Sequence, residues 1–131
     1  MATTYRIRYK NHATPQEQHS SGDRWYLDSD AGRKFSGTAD LGSSLIGSKG
    51  NFEENLAITD EPSSAFINYV DFAYIKNTGD NDVLIALDYS VYTIVLSPGE
   101  AFASQVDRSN GVFRAKCPTG QTSTIEYYSS V

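Results

Sequence analysis

The feature that most constrains this chain is a punctuated pattern running from Asp71 to Tyr128. Short apolar runs at residues 72–75, 83–87, 91–96, 101–106 and 112–116 follow one another, and a sixth at 122–128 closes the pattern. Between them lie Asn77-Thr78-Gly79-Asp80-Asn81-Asp82, Asp88-Tyr89-Ser90, Ser97-Pro98-Gly99-Glu100, residues 107–111 and Pro118-Thr119-Gly120. Runs of strand length broken by Gly, Pro, Asn and Asp are the pattern of an antiparallel sandwich or barrel. No twelve-residue window carries the i, i+3, i+4, i+7 apolar stripe of an amphipathic helix. The expectation is an all-β chain, an antiparallel two-sheet β-sandwich of jelly-roll type.

At 131 residues the chain has the length of one domain with a real core. Nine tyrosines and an abundance of Ser and Thr suit a pleated, half-buried surface and its turns. The formal charge of −5 is uneven: residues 1–34 carry six Lys/Arg against four Asp/Glu, and residues 35–131 carry five against twelve. An acidic body repels phosphate backbones, so nucleic acid is not an expected partner. The single cysteine, Cys117, excludes an intrachain disulfide and suits a reducing compartment. No run of 18 apolar residues and no apolar signal core are present, so neither a membrane span nor export by a cleavable signal is expected.

From the amino end, Tyr5-Arg6-Ile7-Arg8-Tyr9-Lys10 alternates strictly. It reads as a strand with one apolar face and one cationic face. Such a strand is either an edge guarded by its charges or an arm for a neighbouring subunit or acidic surface. Residues 11–24 are polar throughout and read as a mobile loop, so residues 1–24 form an amino-terminal strand and loop attached to one sandwich domain. Both histidines, His12 and His19, fall in this loop, without the cysteines or rigid spacing that zinc requires. Trp25-Tyr26-Leu27 reads as a short strand. Asp28-Ser29-Asp30-Ala31-Gly32 matches only the start of a calcium loop and is better read as an Asx-type turn. Residues 41–50 read as a flexible connection, without the spacing of a phosphate cradle. Residues 51–58 resume a strand, and residues 65–76 read as one long bent strand.

Catalytic constellations are hard to assemble from this sequence. A serine or cysteine nucleophile usually works with a histidine base, and both histidines lie in one polar loop. Cys117 reads as a small, partly buried side chain at a strand end. Sixteen acidic residues permit many carboxylate pairs and single out none. Neither a catalytic residue nor a cofactor or metal site is therefore assigned, and a non-enzymatic chain is expected. Trp25 and the tyrosines could stack on sugars, but they equally suit a protein interface, which is the preferred reading. In Tyr127-Tyr128 one ring should point outward, because successive strand residues alternate faces.

Two turn readings follow from local chemistry. Asn77 to Asp82 reads as a hairpin with Gly79 and Asn81 at positive φ. Ser97-Pro98-Gly99-Glu100 reads as a type II turn with Gly99 at its third place. The same segments carry a resemblance. Ile75-Lys76-Asn77-Thr78-Gly79, then Asp82-Val83-Leu84-Ile85-Ala86-Leu87-Asp88, then Ile94-Val95-Leu96-Ser97-Pro98-Gly99-Glu100-Ala101-Phe102 resemble small virion proteins of tailed bacteriophages. In those proteins a strand ends in Lys-Asn-Thr-Gly, the next ends in Leu-Asp, and Leu-x-Pro-Gly-Glu follows. Thr122 to Tyr127 is similar to their ending, so the resemblance spans roughly residues 72–128. It implies a capsid cement or decoration protein that stabilises the particle by bridging subunits, or else a tail or fibre component. It also implies a homo-oligomer, with a trimer favoured, the major capsid protein or other virion proteins as partners, and a place in the virion after synthesis in the host cytoplasm. A free carbohydrate-binding module is the alternative from another class, with a glycan as partner. Tyr5, Arg6, Arg8, Lys10, Trp25 and Tyr26 are the candidate interface residues.

Overall fold

The computed structural model describes residues 3–9, 11, 16–18, 22, 24–27, 43–88 and 90–131. Among them are twelve strands: β1 (Tyr5–Tyr9), β2 (Gln16–Gln18), β3 (Trp25–Leu27), β4 (Ser43–Gly47), β5 (Asn51–Ile58), β6 (Ile67–Asn68), β7 (Phe72–Asn77), β8 (Val83–Ala86), β9 (Tyr92–Leu96), β10 (Ala101–Gln105), β11 (Val112–Lys116) and β12 (Ser123–Ser130). The chain divides into two compact units, one of Met1–Arg6 with Ile46–Val131 and the other Ile7–Leu45. No helix among the described residues is long and apolar enough to cross a membrane.

The larger unit is an antiparallel β-sandwich. One sheet has the order β10-β7-β12-β5 and the other β6-β11-β8-β9. This is the jelly-roll arrangement, and the register shows how it arises. Ile85 pairs with Ile94, Ile75 with Phe102, Phe113 with Ile67 and Ser123 with Ile58. Each pair straddles the link between β8 and β9 almost symmetrically, so β5 to β12 form one long hairpin rolled over on itself. Alternation then buries one side of each strand. Ile58, Ala73, Ile75 and Ile125 of the first sheet meet Ile67, Val83, Ile85, Leu96, Phe113 and Ala115 of the second. Phe113, Ile75, Ile85 and Ile125 are wholly inaccessible. Burying each such side chain contributes on the order of 1.5–3 kcal/mol.

Several local expectations are corrected. Asn77 to Asp82 is not a hairpin, because β7 and β8 lie in different sheets and the segment carries the chain between them. Positive φ among the described residues falls at Asn55, Tyr69, Gly99 and Gly120, so Gly79 and Asn81 do not adopt it. Gly79 is needed for space: a Cβ there would lie 2.1 Å from Ser123 Oγ and 2.6 Å from the Thr124 nitrogen. Residues 65–76 are not one strand. Tyr69, at φ 54°, breaks them into β6 and β7. The polar stretch at 11–24 contains β2, which pairs with β3, and the stretch at 41–50 contains β4, which pairs with β1. The type II turn is as expected: Gly99 has φ 86°, and the Glu100 N–H donates to the Ser97 carbonyl at 2.9 Å.

Asn77 holds one end of the roll together. It is fully buried, and its amide uses its full capacity. Nδ2 donates to the carbonyls of Asn81 at 2.7 Å and Leu96 at 2.8 Å. Oδ1 accepts from the Gly79 N–H at 3.0 Å and from Ser123 Oγ at 2.8 Å. One side chain thereby ties the link between sheets, the end of β9 and the start of β12. Asn81 adds a bond from its own Nδ2 to the Thr122 carbonyl at 2.8 Å.

Candidate binding surfaces

The outer face of the β10-β7-β12-β5 sheet carries a row of aromatic side chains. In register across the sheet, Phe52 of β5 faces Tyr128 of β12, Tyr128 faces Tyr74 of β7, and Tyr74 faces Ala103 of β10. Directly paired residues share a face, so these side chains form one line. The line exists because of a β-bulge. Between Ile125 and Tyr127 the register shifts by one residue on β5, where Asn55 takes φ 62°. That extra residue changes the phase of β5 and sets Phe52 opposite Tyr128.

The row is held firmly. Phe72, next along β7, meets Tyr128 edge-on with ring centroids 6.4 Å apart. Gly50 leaves room for the Tyr128 ring, since a Cβ there would fall 2.1 Å from its hydroxyl. Tyr74 donates its hydroxyl proton to Glu126 Oε1 at 2.8 Å. Burial, then this carboxylate, push the Tyr74 phenol up to about 12. The ring of Phe52 remains half exposed, at 50%. Isolated apolar side chains on a surface need no explanation, but a contiguous registered row is the usual form of a contact surface. Tyr127 points the other way, as alternation requires, and meets Phe66 in the core at 5.0 Å.

The second sheet's outer face is mixed. The Lys116 ammonium sits 4.5 Å from the centroid of the Tyr92 ring, a cation–π contact. Nearby, Val95 is 55% exposed.

The residues singled out from the sequence are largely exposed but are not gathered into one place. Tyr5, Arg6 and Arg8 of β1 are exposed, whereas Ile7 and Tyr9 are half-buried, so the expected alternation holds from Arg6 to Tyr9 but not at Tyr5. Trp25 and Tyr26, also exposed, are successive residues of β3 and face opposite sides of the β2–β3 ribbon, across from Gln18 and Glu17. The Arg24 guanidinium lies 5.8 Å from the Tyr26 ring centroid. Lys10, His12, His19 and the Asp28–Gly32 turn fall outside the described residues.

The carboxylates near the ends of strands are engaged in structure. Asp88 Oδ1 accepts from the N–H groups of Val91 at 2.9 Å and Ser90 at 3.2 Å. Asp107 accepts from the Ser109 N–H and from Asn110 Nδ2, both at 3.0 Å. Asp71 forms a two-pronged ion pair with Arg108, with Nε 3.0 Å from Oδ1. These donors hold all three carboxyls below the usual carboxylate range. Cys117 is buried, and burial pushes its thiol up, away from the thiolate that reacts. Among the described residues, no three His, Cys, Asp or Glu groups are placed to hold a metal ion.

The aromatic row was partly foreshadowed, since Tyr127-Tyr128 had to point one ring outward. Its alignment with Phe52 and Tyr74 depends on the bulge, which turn residues alone do not reveal. No family model, curated protein or solved structure matches the chain.

Proposed function

We propose that this chain is a non-enzymatic structural protein of a bacteriophage particle, acting as a capsid cement or decoration protein that bridges neighbouring subunits. The observation that carries this reading is the aromatic row of Phe52, Tyr128 and Tyr74 on a broad sheet face. Aromatic side chains bring large contact area at low entropic cost, and tyrosine keeps a polar tip for the rim of an interface. Jelly rolls are a recurrent architecture of capsid proteins and of lectins, so the fold is compatible with the reading without selecting it. The resemblance over residues 72–128 supplies the virion context. In this reading the protein works as a homo-oligomer, with a trimer favoured, and the exposed Arg6 and Arg8 of β1 offer a second, cationic contact for an acidic subunit surface.

Solution mass by light scattering over a range of concentrations tests the reading first. A closed oligomer that Phe52→Ser shifts toward monomer is expected, together with retention on purified capsids and greater heat tolerance of the loaded particles. A monomer that neither sediments with capsids nor protects them would refute the cement role. Retention on tails or fibres instead of capsids would move the assignment to those parts of the particle.

A further inference from the structure

The sandwich end opposite Asn77 is where the β6–β7 link, residues 87, 88, 90 and 91, and residues 106–111 converge. A cavity of about 460 Å³ opens there, lined by Asn68, Tyr69, Asp88, Ser109, Asn110 and Val112. A second, of about 260 Å³, adjoins it, sharing Asp88 and Asn110, with Leu87, Val106 and Phe113 making an apolar lining. We propose that this paired cavity is a binding site for a neutral sugar.

The argument rests on hydrogen-bonding capacity left open at the cavity. Asp88 gives its Oδ1 to the Ser90 and Val91 N–H groups, leaving Oδ2 without a partner among the described residues. Asn110 uses Nδ2 on Asp107, and its Oδ1 is left over. The Asn68 side chain and the Tyr69 phenol make no hydrogen bond to the described residues, and Tyr69 is 57% exposed. Adjacent hydroxyls on a sugar each donate one bond and accept another, so they need acceptors beside a donor. A carboxylate oxygen, an amide oxygen and a complete amide supply that set. The Tyr69 ring provides a flat apolar face for the C–H side of a pyranose.

Charge narrows the ligand further. The cavity lining contains no cation, and Arg108 nearby is engaged by Asp71. Asp88 and Asp107 would repel a phosphate or a carboxylated sugar. No three His, Cys, Asp or Glu groups among the described residues are placed to hold a metal cation. A neutral polyol fits what remains. This site stands apart from the aromatic row and does not depend on the particle assignment.

The test is an amide-resolved NMR titration of the full chain with glucose, galactose, mannose and N-acetylglucosamine, and with N-acetylneuraminic acid as the anionic control. Saturable shifts at residues 68–69, 88–91 and 107–112 are expected with at least one neutral sugar and not with the control. Tyr69→Gly distinguishes binding from folding, because glycine suits the positive φ at this position. It should keep or raise the melting temperature while weakening the sugar by about tenfold. Asp88→Asn, which keeps the turn acceptor, should also weaken it. The proposal is overturned if no neutral sugar shifts these amides at millimolar concentration, if the shifts fall on Phe52, Tyr74 and Tyr128 instead, or if Tyr69→Gly binds as well as the parent chain.

Discussion

The two ends of the sandwich solve the same problem in opposite ways. The Asn77 end gathers four links of the roll and the other end three, and each must satisfy the backbone groups exposed where strands stop. At one end a buried amide, Asn77, does most of this from inside, with partners on Asn81, Leu96, Gly79 and Ser123, while Asp60 and Glu100 accept from the Gly120 and Ser97 N–H groups at its surface. At the other, Asp71, Asp88 and Asp107 do it from the surface, each by accepting from groups close to it in its own turn or, for Asp71, from Arg108. A neutral buried hub is rigid, insensitive to pH and intolerant of change. Exposed carboxylates cost little to solvate and respond to acid. The contrast teaches where stability depends on one buried group and where it is spread over exposed ones.

The largest effect is expected at the buried hub. Asn77→Ala would leave two carbonyls, a backbone N–H and the Ser123 hydroxyl without partners. Each unsatisfied buried group costs about 1–3 kcal/mol, so a loss of about 3–5 kcal/mol is expected after partial relaxation. Urea denaturation followed by far-ultraviolet circular dichroism would measure it. A loss below about 1 kcal/mol would show that water or repacking replaces the amide, and that the two ends are less different than they look.

Gly79→Ala comes next and separates two reasons for glycine. Its added Cβ would press on Ser123 Oγ and on the backbone of Thr124, which cannot move far in a buried seam. A loss of about 2–3 kcal/mol is expected, in line with overpacked cores. Gly120→Ala is the control. Gly120 has φ 79° with nothing within 4 Å of a Cβ, so only backbone strain of about 1–2 kcal/mol applies. Equal losses at the two positions would remove the case for close packing at Gly79.

These glycines also mark what sequence reasoning can reach. Turn residues located the ends of β7 to β12 well, because Pro, Gly and Asn punctuate strands for local reasons. Ser97-Pro98-Gly99 was legible down to its φ value, since a type II turn makes one specific demand on its third residue. Asn77 to Asp82 was misjudged because a link between sheets uses the same residues as a hairpin. Only tertiary pairing distinguishes them. Tyr69 was invisible as a break, for a tyrosine at positive φ carries no turn signal. β2, Gln16–Gln18, lies in a wholly polar stretch and has no alternation to read. The aromatic row was half legible: alternation placed one ring of Tyr127-Tyr128 outward, but the bulge at Asn55 set its partners. The cavity at the aspartate end is a product of three distant links, and no spacing in the chain announces it.

Tyr69→Gly probes the open end with the opposite sign. Removing a side chain from a left-handed backbone position relieves strain, so stability should rise by about 0.5–1 kcal/mol. A fall of similar size would mean that the Tyr69 ring packs usefully on its neighbours despite its exposure.

The smallest effect, and the one that tests the comparison most directly, is the response to acid. The carboxyls of Asp71, Asp88 and Asp107 are all lowered in the folded chain, chiefly by Arg108, by the Val91 N–H and by the Ser109 N–H respectively. A group with a depressed folded pKa adds stability that is fully present above its unfolded value, about 3.9 for Asp. That stability fades as pH falls through the lower folded value. All three groups are open to water, so the global change should be slight and weaker still in salt. The local change should not be. Between pH 5 and pH 2, amides of Ser90, Val91 and Ser109 should lose hydrogen-exchange protection, after correction for the intrinsic rate, before Gly79 and Thr78 do. The Asn77 amide has no proton to gain in that range, so Gly79 and Thr78 should stay protected until the whole domain unfolds. The Gly120 and Ser97 N–H groups, held at that end by Asp60 and Glu100, are not part of this test. Simultaneous loss at both ends would show that the sandwich opens as one unit, and that the difference in their chemistry does not translate into a difference in local stability.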